Sequence, residues 1–192
     1  MSRMSKTANR AAAWLGYWAT IAKDRAGFAA VEFAMVVPIM VMLFLGAVEF
    51  SLALSYDRRV TAISSATADL VAQEEEVDSA YLDDIMKVAD SLLPPDADLS
   101  KLDIKLVSVV ADSDSNVTVN WSYNRSGGEP YPKDSAYDDL PADLVEPLSS
   151  VVVSEVSYTY NPPVGHFIVG NITLSERFFL RPRKSLQVTK TD

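Results

Sequence analysis

The hydrophobic pattern of the chain changes character three times. From Phe28 to Tyr56 it reads FAAVEFAMVVPIMVMLFLGAVEFSLALSY, with Glu32 and Glu49 as its two charges and Phe33 to Val48 wholly uncharged. As a helix rising ~1.5 Å per residue this stretch is roughly 40 Å long, ample for a ~30 Å hydrocarbon layer. A segment apolar on every face leaves no side for water, which argues against a core helix of a soluble protein. Pro38 removes one helical hydrogen bond, which membrane helices tolerate, and marks a position for a kink.

After Tyr56 the helical period continues but becomes amphipathic. Val60, Ile63, Ala66, Leu70 and Val71, with Thr67, fall on one stripe, while Asp57, Arg58, Thr61, Ser65 and Asp69 fall mostly elsewhere. One helix is therefore predicted from about Phe28 to about Gln73, ending in a solvated Glu74-Glu75-Glu76 turn. A second amphipathic helix is predicted over Ser79–Leu93, with Tyr81, Ile85, Val88 and Leu92 inward and Pro94-Pro95 as its stop.

The period then shortens to two. Leu102, Ile104 and Leu106 alternate with polar residues, as do Val117, Val119, Trp121 and Tyr123, then Val152, Val156, Tyr158 and Tyr160, and last Ile172, Leu174 and Phe178. Asp112-Ser113-Asp114-Ser115-Asn116 is a hairpin turn by composition. Asn124 to Pro147 reads as a long loop, with Tyr131 and Tyr137 as its anchors. The expected fold class is α+β: a long N-terminal helix, a short helix and a small antiparallel β-sheet. The expected organisation is a leader (1–27), a membrane span (28–56), a helical stem (57–93) and a β-rich outer domain (94–192).

Charge fixes the orientation. Arg3, Lys6, Arg10, Lys23 and Arg25 against Asp24 give residues 1–27 a net of +4, so the chain's −9 leaves −13 for the remainder. Five basic residues precede the span and two, Arg58 and Arg59, follow it closely. The positive-inside bias puts the N-terminus in the cytoplasm and the acidic body outside. An outer body that acidic excludes nucleic acid as a partner. Ala11–Ala22 is too short to span and is expected at the headgroups through Trp14, Tyr17 and Trp18.

Little in the sequence suggests catalysis. There is no cysteine and one histidine, His166, which is expected in a surface loop, so thiolate chemistry and a His-based metal site lack material. No Gly-rich phosphate loop or Gly-x-Ser-x-Gly elbow is present. Asp112, Asp114 and Asn116 have the 1-3-5 spacing of a calcium loop, but Val117 and Tyr123 stand where glycine and glutamate belong, so a turn is the better reading. Asp83 and Asp84 read as a charged helix face. Arg177, Arg181, Arg183 and Lys184 form a basic stretch, read as a solvated edge strand or as a dock for the acidic helix of another subunit. No enzyme, cofactor or metal is expected.

The setting of Glu32 carries most of the functional information. A carboxylate early in an apolar span is costly unless it stays near the interface. Here it follows a basic leader and the sequence Gly27-Phe28-Ala29-Ala30-Val31, five positions after the glycine. This arrangement resembles the type IV prepilin motif. Ala30, Val31, Glu32, Phe33, Ala34 and Pro38, then Gly46, Glu49 and Phe50, further resemble the TadE-like family of tight-adherence (Flp-type) pilus proteins. The resemblance covers about thirty residues.

It implies a minor pilin or pseudopilin, cut by a prepilin peptidase between Gly27 and Phe28, with Glu32 becoming the fifth mature residue. Glycine leaves the backbone open to a peptidase. The new amino group would be cationic, and the Glu32 carboxylate of a neighbouring subunit can pair with it. The implied partners are the peptidase, other tight-adherence pilins and pseudopilins, the inner-membrane assembly platform and the lipid bilayer. The implied location is the bacterial inner membrane, and the outside of the cell once in a pilus. Glu49, 17 residues beyond Glu32, lies roughly 25 Å along a helix, at the other hydrocarbon edge; it reads either as a solvated interfacial acid or as a subunit contact. Two alternatives stand beside this reading: an unprocessed single-pass protein with an outer binding domain, and a domain released by signal peptidase after Ala53-Leu54-Ser55.

Overall fold

The computed structural model describes residues 25–141, 144, 146–163 and 170–192. The expectations for Ala11–Ala22 and His166 lie outside them. Helix α1 runs Arg25–Ala72, with Pro38 inside it. Strand β1 (Glu76–Val77) and helix α2 (Ser79–Leu92) follow, and a 3-10 turn at Leu99–Lys101 leads into β2 (Leu102–Ala111). Then come β3 (Val117–Asn124), β4 (Ser150–Tyr160), β5 (Ile172–Leu180) and β6 (Thr189–Lys190). The fold is α+β. It divides into two units, residues 1–48 and 49–192.

The described part of the first unit is helical, and its large apolar side chains are exposed, from Phe28 through Met35 and Phe44. The second unit is built on a four-stranded sheet of order β3-β2-β4-β5, with every neighbouring pair antiparallel. A bulge opposite Ser108 and Val109 shifts the β2–β3 register.

Both faces of the sheet are covered, and alternation along the strands sorts residues between them. One face carries Ile104, Leu106, Trp121, Val152, Val156 and Tyr158 against the stem part of α1 and against α2. The other carries Val107, Val109, Val119, Val151 and Val153 beneath Tyr137, Tyr131 and Leu140 of the long loop. The loop is therefore the second layer of a core. Tyr131 and Tyr137 do anchor it: their hydroxyls donate to the two Glu155 carboxylate oxygens at 2.9 and 2.7 Å. Arg177, opposite Glu155 on β5, reaches Glu155 at 3.6 Å and Asp139 at 3.1 Å.

The buried stripe of the stem is rotated from the predicted one. Val60, Ile63, Ser64, Thr67, Ala68, Val71 and Ala72 are buried, while Ala66 and Leu70 are half-buried. Ser154 of β4 is the reason. Its carbonyl accepts from the Ser64 hydroxyl at 2.9 Å and its hydroxyl lies 2.7 Å from that of Thr67, so two polar residues enter the interface satisfied. Helix α2 is turned likewise: Leu82, Ile85, Met86 and Ala89 are buried and Val88 is exposed. That rotation lets Asp83 accept from the Tyr123 hydroxyl at 2.7 Å and Asp90 pair with Arg125.

Helix ends are capped locally and by the C-terminal strap. Asp78 accepts from the Tyr81 amide at 2.7 Å, as an N-cap should. The Asp192 carboxylate accepts from the Ser79 amide, and the Arg183 amide donates to the Ala72 carbonyl at the end of α1. Glu76, expected in a solvated turn, is exposed but stands in a strand, paired with Thr189 because β6 lies parallel to β1. Val188 is buried beside it, its carbonyl accepting from the Trp121 indole at 2.8 Å.

Candidate functional site

Helix α1 carries the motif at residues 27–32 and the apolar run. An added Cβ at Gly27 or Gly46 would meet nothing within 4 Å. Glycine in a helix interior is unfavourable by about 1 kcal/mol relative to alanine, and packing among the described residues does not require it at either place. Phe28 is 76% exposed and Phe33 70% exposed. Glu32 is exposed between them and makes no ion pair among the described residues. Pro38 lies within an unbroken helix. The most apolar 18-residue window of the helix has a mean hydropathy of 2.4, and none of it is buried.

Glu49 belongs to the second unit and is half-buried. It stands close enough to Tyr160 for its charge to act on that hydroxyl, which burial first and Glu49 second push above the usual tyrosine range. Tyr56, about two turns beyond on a ~3.6-residue period, stacks on Tyr158 with ring centroids 5.4 Å apart and lies 4.8 Å from Tyr160. Three tyrosines thus cluster where the apolar run ends, Tyr158 and Tyr160 buried in the core of the body and Tyr56 half-buried against them. Sequence reasoning placed Tyr158 and Tyr160 on one strand face but gave no partner for Tyr56. Their spacing of two and the position of Tyr56 were the available signals. Helix α1 continues unbroken through Ala53-Leu54-Ser55.

Other candidate chemistry resolves into structure. Asp112 accepts from the amides of Asp114 and Asn116 at 2.8 and 2.9 Å and from the Asn116 side chain at 2.9 Å. The Asn116 bonds, side chain first, hold its carboxyl below the usual range. The carboxylate is thus spent on its own turn, and Ser115 adopts φ 62° to close it. Among the described residues no group of three His, Cys, Asp or Glu is placed to hold a metal ion. The basic stretch meets acids of its own chain: Arg181 with Glu146 at 3.0 Å, Arg183 with Asp69 at 2.5 Å and Lys184 with Glu74 at 3.7 Å. Its reading as a dock for another subunit gains no support from that pairing. Asp84 pairs with Lys87 on an exposed helix face, as expected.

The described geometry defines a candidate single-pass membrane anchor joined to an α+β body. Residues 27–69 match the model of the family described as TadE-like protein, which makes this stretch a TadE-like segment and associates the chain with the tight-adherence pilus. TadE-like pilus proteins are structural rather than enzymatic and act together with other components of that pilus. No curated protein and no solved structure matches the chain.

Proposed function

We propose that the chain is a minor pilin (pseudopilin) precursor of a tight-adherence pilus. It inserts with its basic leader in the cytoplasm and its body in the periplasm, and a prepilin peptidase cuts it between Gly27 and Phe28. The mature protein waits in the inner membrane. It then joins a pilus, or helps to start one, through packing of its apolar helix against helices of other pilins at the assembly platform. The observation that carries this reading is a helix exposing large apolar side chains all along the first unit, with Glu32, unpaired among the described residues, five residues after a glycine whose added Cβ would meet none of them.

Each feature then has a use outside the chain. Gly27 leaves the scissile backbone open. The amine freed at Phe28 carries positive charge near neutral pH, and the Glu32 carboxylate of an adjacent subunit neutralises it, setting the register of entry. Pro38 frees a backbone carbonyl that a neighbouring helix can satisfy. The test is Glu32→Ala in the native host. Processing at Gly27 should persist while incorporation into sheared pili falls, and a variant incorporated at wild-type levels would remove the role given to this carboxylate.

A further inference from the structure

Where the apolar run gives way to the stem, one face of α1 forms an open groove of ≈590 Å³ with the end of α2. It is lined by Ser51, Leu54, Ser55, Arg58, Arg59, Ala62 and Leu92. The α1 residues are spaced by three and one, so they form a single stripe. No acidic side chain lines it. Arg59 has a structural task, donating to the Leu92 carbonyl at 2.8 Å and so capping the end of α2. Arg58 is exposed and makes no ion pair or hydrogen bond among the described residues. Side chains on a helix lean toward its N-terminus, so the Arg58 guanidinium leans toward Ser55, Leu54 and Ser51. Phe50 and Leu52, just before the groove, are 66% and 40% exposed, and Tyr56 of the tyrosine cluster lies at the same level of the helix.

We infer that this groove seats the headgroup of an anionic phospholipid in the outer leaflet of the inner membrane. The phosphodiester meets the Arg58 guanidinium and the Ser51 and Ser55 hydroxyls, and an acyl chain follows Leu54 and Leu52 into the bilayer. The charge is complementary, the donors suit phosphate oxygens, and the groove is continuous with the apolar surface that lipid must cover. Such a seat fixes the height of the body above the bilayer before assembly, and leaving the membrane for a filament requires giving the lipid up.

The inference rests on the membrane placement proposed above, and the test separates the two. Full-length protein is reconstituted into nanodiscs of equal parts phosphatidylglycerol and phosphatidylcholine, released, and its retained lipids are counted by native mass spectrometry. Wild type should retain phosphatidylglycerol in preference. Arg58→Gln should lower that preference about fivefold, roughly the effect of one basic residue at an anionic surface. Arg58→Lys should keep most of it, and Arg181→Gln, in a pair elsewhere on the body, should leave it unchanged. Equal retention of the two lipids, or an unaltered preference in Arg58→Gln, would overturn the seat alone. Failure of the wild type to enter nanodiscs would overturn both the seat and the membrane placement.

Discussion

Glu155 offers the sharpest test of how the body is held together. Its side chain is 11% exposed and accepts from two tyrosine hydroxyls of the long loop, at 2.7 and 2.9 Å. Hydrogen bonds to a charged partner contribute about 1.5–3 kcal/mol each. Replacement by alanine removes both and strands the hydroxyl of Tyr137, a residue only 5% exposed. Water reaches Tyr131 more readily, so its loss counts for less. The two together give about 3 kcal/mol, or roughly 10 °C in midpoint for a body of this size. Tyr137→Phe alone should cost about 1.5 kcal/mol, because one bond is lost and no donor is stranded. In Glu155→Ala the same change should cost less than about 0.5 kcal/mol, the hydroxyl having already lost its acceptor. Thermal unfolding of the four proteins in detergent, followed by near-ultraviolet circular dichroism, measures the coupling, expected near 1 kcal/mol. Additive losses would refute the claim that the loop is fastened through this carboxylate.

Two further outcomes follow from the same packing. Ile63→Ala empties a site of 0% exposure between the stem and the sheet, and should cost about 2–5 kcal/mol in the same unfolding assay; a loss under about 1 kcal/mol would mean that the stem does not pack there. The tyrosines set the alkaline limit. Tyr123 is pushed up to about 12, first by its bond to Asp83, and Tyr131 to about 12, first by burial, whereas tyrosines in the unfolded chain ionise near pH ~10. The folded form therefore holds protons that the unfolded form has released. Stability should be full below about pH 10 and fall as pH rises toward about 12, and midpoints that stay constant across that window would contradict the assignment.

Much of this fold is legible in the sequence because its signals are local. The apolar run, the four strands, the Asp112 turn and the Pro94-Pro95 stop each follow from a few neighbouring residues. What escapes depends on distant partners. Thr67 falls on the predicted stripe, but Ser64 is buried because Ser154, far along the chain, satisfies it, and no period in the helix announces that. Val88 turns outward because Asp83 and Asp90 are drawn to Tyr123 and Arg125. Glu76 becomes a strand residue because the C-terminal strap returns beside it. Around the candidate site the contrast is the same: Gly27, Glu32 and Pro38 are visible as a motif, whereas the packing of Tyr56 against Tyr158 and Tyr160 needs the folded sheet.

The proposed function turns on cleavage beside Gly27, and the intact mass of the protein extracted from membranes of its native host reads this directly. A chain beginning at Phe28 is the predicted result. A chain that still contains residues 1–27, in cells with an active prepilin peptidase, would contradict the pilin precursor and leave a tethered outer domain in its place.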